Sequence, residues 1–203
     1  MKPSSKSPER LQSDVEWAMG QGLGPRDLLP MLERLVAQAK PGTAPALYAR
    51  QNLSALVVAQ SPWRAARLAR EVLAFVDDER AWAVLGLAQT LLGNYRSAMK
   101  AYRRALALDP SCPTCQHNLG HLLDVVCERP ADALRYLKAA HRAWPGEAEV
   151  TASYAHALAR TGDLAEARRL LTRSLGANAD TVDEWLQRWL GGLSGPTARR
   201  AEG

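Results

Sequence analysis

The stretch ALDPSCPTCQHNLGH, residues 107–121, sets two cysteines and two histidines within the ten positions from Cys112 to His121. Cys112 and Cys115 have the CxxC spacing of redox pairs and metal knuckles, and His117 and His121 stand at i, i+4, a spacing that ligates zinc from one helical face. A thiol at a helix N-terminus is favoured as its thiolate, which makes Cys115 a candidate reactive group. Three features oppose a built site. CxxC redox pairs normally sit beside a βαβ unit, and no strand pattern is evident here; haem attachment needs His directly after the second Cys, where Gln116 stands. Cys115 points about 160° away from His117 on a regular helix. Cys127 lies near the far end of the same segment, so four ligands would require the chain to leave helical geometry.

What positions these residues is set by the rest of the chain. It has 203 residues, 47% of them hydrophobic, and a net charge of +5. Ala, Leu and Arg dominate, all strong helix formers, and point to an all-α fold. The charge is scattered: it suits an acidic partner without naming nucleic acid. Three cysteines, an odd number, argue against a disulfide-stapled secreted fold. The N-terminal MKPSSKSPER has positive charge but no apolar core of a signal peptide, and no run suits a membrane span. A soluble cytoplasmic protein is expected. Gly-rich phosphate loops, nucleophile elbows and paired carboxylates are missing from the sequence, so neither catalysis nor a cofactor is expected.

Repetition is the strongest signal. Ala65, Ala98, Ala133 and Ala167 follow one another at 33, 35 and 34 positions. The segment Glu79 to Cys112 carries Trp82, Leu85-Gly86, Gly93, Tyr95, Ala98, Tyr102, Ala105-Leu106 and Pro110. Over that length it resembles the tetratricopeptide repeat at nearly every signature position. Residues 113–147 follow the frame with one extra residue between Gly120 and Ala133; 148–178 follow it again, and 46–78 fit loosely. Small residues at Gly86, Ala98, Gly120 and Ala133 let paired helices cross closely, and Gly93-Asn94 suits the turn between them.

The expected fold class is therefore all-α, a right-handed α-solenoid of antiparallel helix pairs. Residues 1–9 read as a disordered basic tail and 10–41 as a helical hairpin, its second helix capped at Asp27. Residues 179–191, with Trp185, Leu186, Trp189 and Leu190 on adjoining stripes, read as a capping helix, and 192–203 as a disordered tail.

The resemblance implies a concave groove lined by the first helix of each pair. Carried onto this sequence, its positions are Arg50, Ser54 and Val58; then Arg80, Ala83, Leu87, Thr90 and Leu91; then Thr114, His117, His121 and Val125; then Ala152, His156 and Arg160. The carboxylate-clamp pattern of some such domains is too incomplete here to apply. The implied function is a non-catalytic adaptor or scaffold taking a peptide or amphipathic helix, acidic in part, from another protein, with no nucleic acid or membrane as partner. The alternatives are a metal- or thiol-dependent sensor built on Cys112, Cys115, His117 and His121, a self-associating subunit docking through Trp185 and Trp189, and RNA binding by scattered arginines.

Overall fold

A computed structural model describes residues 6–176 and 178–191. Among these residues the chain forms eleven α-helices and one π-turn, with no strand. It divides into two compact units, one ending at Pro110 and the other beginning at Ser111.

The first unit holds α1 (Pro8–Gly20), α2 (Pro25–Gln38), α3 (Ala44–Val57), α4 (Pro62–Leu73), α5 (Glu79–Leu91) and α6 (Tyr95–Leu108). Each helix packs on its successor, and α1, α3 and α5 also touch in turn, so three antiparallel pairs stack in register. The hairpin ahead of the repeats is thus one more pair of the same stack. Its small and branched residues, among them Val15, Leu32, Leu35, Ala46, Ala49 and Ala65, form a shared core.

Two boundaries differ from the sequence expectation. α1 begins at Pro8, inside the stretch expected to be a disordered tail, because Ser7 caps it: the Ser7 hydroxyl accepts from the Arg10 amide. Residues 1–5 lie outside the described residues. α2 begins at Pro25 rather than after Asp27, which leaves Pro30 inside the helix and one backbone bond short.

The second unit holds α7 (Pro113–His121), a π-turn (Leu122–Val126), α8 (Pro130–Ala143), α9 (Ala148–Arg160), α10 (Leu164–Leu175) and α11 (Ala179–Gly191). α7 and α8 pair, α9 and α10 pair, and α11 lies on both members of the last pair. Val182 and Leu186 of α11 are buried there, with Trp185 and Trp189 half-buried beside them. The expected tail at 192–203 lies outside the described residues.

The small residues explain how the pairs close up. A Cβ built on Gly86 would stand 2.6 Å from the Tyr102 ring, and one on Gly120 would stand 2.6 Å from Leu137. Ala98 and Ala133 are fully buried at the same crossings. The turns repeat too. Gly93 and Gly162 adopt positive φ at the equivalent point of two pairs, where the chain leaves the first helix. The third equivalent point is occupied by Glu128, also at positive φ (53°). It follows the π-turn, where the Cys127 amide donates to Leu122 O and the Arg129 amide to Leu123 O. The extra residue noted between Gly120 and Ala133 is absorbed there, by widening one helical turn.

Candidate functional site

Widening that turn decides where Asp124 goes. It lies within the π-turn and is 1% exposed, a carboxylate in the interior of the second unit. Burying a charge costs several kcal/mol unless it is paired and hydrogen-bonded. Two residues of α9, one helical turn apart, supply that. His156 Nδ1 donates to Asp124 Oδ2 at 2.5 Å. Arg160 Nη1 reaches Asp124 Oδ1 at 3.0 Å and also donates to the Asp124 carbonyl at 2.5 Å. Asp124 is a site residue that the sequence reading missed; its signal was a lone acid inside the apolar run HLLDVV, beside the inserted position.

Around this network sits a cavity of about 210 Å³, lined by His121, Asp124, Val125, Ala152, Ser153, His156 and Trp189. The Trp189 ring stands edge-on to His156, with centroids 5.1 Å apart. Four of the expected groove residues, His121, Val125, Ala152 and His156, therefore meet in one concavity, joined by Trp189 from the capping helix.

Other expected groove residues are placed differently. His117 is buried, its Nε2 3.0 Å from Ser153 Oγ and its ring 6.1 Å from that of His121. Burial is the largest influence on His117 and holds its pKa below the ordinary histidine value; Glu149 pulls it upward and His121 adds to the depression. Arg160 is 12% exposed and committed to Asp124. Thr114 is exposed on the first turn of α7.

In the first unit, Arg50 is held by Glu71 at 2.8 Å and by the Ala46 carbonyl. Ser54 is fully buried, its hydroxyl donating to the Gln51 carbonyl of its own helix, and Val58 is buried as well. On α5, Ala83, Leu87 and Thr90 are half-buried, with the Thr90 hydroxyl returned to the Gly86 carbonyl. Arg80 and Leu91 are exposed. Arg50, Ser54, His117, His156 and Arg160 each have a hydrogen-bond partner within their own unit, while Arg80 and His121 are exposed.

The cysteines begin the second unit. Cys112 is the N-cap of α7, its Sγ accepting from the Cys115 amide at 3.3 Å and standing 2.8 Å from Cys115 Sγ. Cys115 is fully buried, whereas His121 is exposed. Among the described residues no three His, Cys, Asp or Glu side chains are grouped to hold a metal ion.

Successive helix pairs, closed at glycine and alanine crossings and capped by a last helix, define a helical-repeat interaction scaffold. A tetratricopeptide repeat model matches residues 79–112 and a second matches residues 128–187. Over these two segments the chain is built of tetratricopeptide repeats. Its fold is similar to that of MamA from Desulfovibrio magneticus RS-1, with a TM-score of 0.67, 15% identity, and coverage of 83% of this chain and 93% of that one. MamA from AMB-1 is 19% identical at a TM-score of 0.61, covering 88% of this chain and 98% of that one. MamA from MSR-1 is 20% identical at a TM-score of 0.59, covering 87% and 94%. No curated protein gives a significant match by sequence. No helix among the described residues is long and apolar enough to cross a membrane.

Proposed function

We propose that the chain is a cytoplasmic adaptor with no chemistry of its own, and that it takes a peptide or amphipathic helix of another protein on the first helices of its pairs. The cavity formed by His121, Val125, Ala152, His156 and Trp189 carries this reading. It is large enough for one or two apolar side chains and is walled by a histidine rim and an indole. On α5 the half-buried Ala83 and Leu87, together with exposed Leu91, offer a second apolar stretch in the other unit.

The ligand is chiefly apolar. Arg50 and Arg160 are spent on Glu71 and Asp124, which removes two of the three cations an acidic peptide would have used. Arg80 is the exposed cation of the set.

A displayed random-peptide library selected on the wild-type chain, with Leu87→Glu/His121→Glu as counter-bait, tests the proposal. His121 is exposed and Leu87 half-buried, and an unchanged circular-dichroism melt qualifies the variant as a folded counter-bait. Enriched peptides with apolar anchors that bind wild type and lose at least tenfold in affinity on the variant support it. Peptides that bind both baits equally would move the interface off these helices.

A further inference from the structure

We infer that Cys112 and Cys115 form a reversible dithiol–disulfide pair that reacts with low-molecular-weight disulfides of the glutathione type. This modification site is separate from the binding surface proposed above.

Two observations support it independently. The first is the location. Cys112 caps α7 and Pro113 occupies the next position, so the backbone of the cap is restrained and the two sulfurs are brought to the same first turn. The second is the contact. The sulfurs stand 2.8 Å apart, inside the roughly 3.5–4.0 Å of an ordinary non-bonded contact between carbons. The Cys115 amide already donates to Cys112 Sγ, and the amides of a helix N-terminus favour negative charge on that atom.

Exposure assigns the roles. Cys112 is partly exposed and Cys115 is fully buried, so an incoming disulfide meets Cys112 first. The Cys112 thiol gives up its proton, and its sulfur attacks one sulfur of RSSR. The RS–SR bond breaks, and the departing RS⁻ takes up that proton. Cys115 then loses its proton and attacks Cys112 Sγ, breaking the bond to SR. The second RS⁻ leaves as RSH, and the Cys112–Cys115 bond remains. Two protein thiols are oxidised and one external disulfide is reduced to two thiols.

The full chain, equilibrated across ratios of reduced to oxidised glutathione, acid-quenched, alkylated and weighed intact, provides the test. Wild type and Cys127→Ser are expected to lose two hydrogens under oxidising ratios, with the link mapped to Cys112 and Cys115, and to regain them in excess reduced glutathione. Cys112→Ser keeps a favoured capping residue, so it folds, and it should form no internal disulfide. Cys115→Ser should instead hold a glutathione adduct on Cys112. The inference is overturned if wild type remains a dithiol in glutathione disulfide. It is equally overturned if wild type stops at a stable adduct, or if Cys112→Ser still forms an internal bond.

Discussion

His156 Nδ1 stands 2.5 Å from Asp124 Oδ2, tying the π-turn after α7 to the next first helix, α9. Arg160 completes the tie from one turn further along α9. Removing the carboxylate leaves the His156 imidazole without that acceptor, and leaves Arg160, 12% exposed, with the carbonyl of residue 124 alone. Asp124→Ala should therefore cost about 3 kcal/mol or more. The check is the midpoint of urea unfolding against wild type. Arg160→Met/Asp124→Leu, which replaces the charge pair by apolar bulk, should recover much of the loss.

Glu128 occupies the turn that Gly93 and Gly162 occupy elsewhere, at φ 53°. An L-residue with a side chain is disfavoured there, and Glu128 is exposed, so its side chain has little packing to lose. Glu128→Gly should stabilise the chain by about 1 kcal/mol, a gain reduced by glycine's greater freedom in the unfolded state. A raised denaturation midpoint with unchanged slope is the expected result. A lowered midpoint would mean that the turn is not strained.

The close helix crossings give the opposite sign. A Cβ on Gly86 falls 2.6 Å from the Tyr102 ring, and Tyr102 is itself buried. Gly86→Leu should destabilise the first unit by more than the roughly 1–3 kcal/mol of ordinary overpacking, and Ala98→Trp should act alike. Thermal melting followed by circular dichroism reads this out. Unchanged melting in either variant would contradict the repeat register.

These crossings were legible in the sequence because packing two helices at contact demands small residues at a fixed period. The alanine series at 65, 98, 133 and 167 records that demand directly, while Gly93 records the separate demand of a turn at positive φ. The Asp124 network was not legible for two physical reasons. One inserted residue can be absorbed anywhere between Gly120 and Ala133, and only packing selects the π-turn. The partners of Asp124 then lie 32 and 36 positions away, on the next pair. Repeat position alone puts Ser54, His117 and Arg160 in the groove. Position fixes a face of the helix, but not whether the side chain turns back to a carbonyl or to an acid. The hairpin at 10–41 lacks the repeat's landmarks yet stacks as another pair, because α1 and α2 supply the same apolar faces from leucine and valine instead.

His117 supplies a pH prediction. Burial holds its folded pKa below the ordinary value of 6.5, so the folded state favours the neutral ring. The unfolded chain then binds a proton more readily than the folded one as pH drops below that value. The contribution to stability is fully present above pH 6.5 and is lost progressively as pH falls toward the folded pKa. Urea midpoints taken from about pH 7.5 to about pH 5 should decline in wild type. His117→Gln keeps a group able to reach Ser153 Oγ without titrating, and its midpoints should decline less over the same range. Parallel curves for the two chains would show that the buried ring does not govern the acid response.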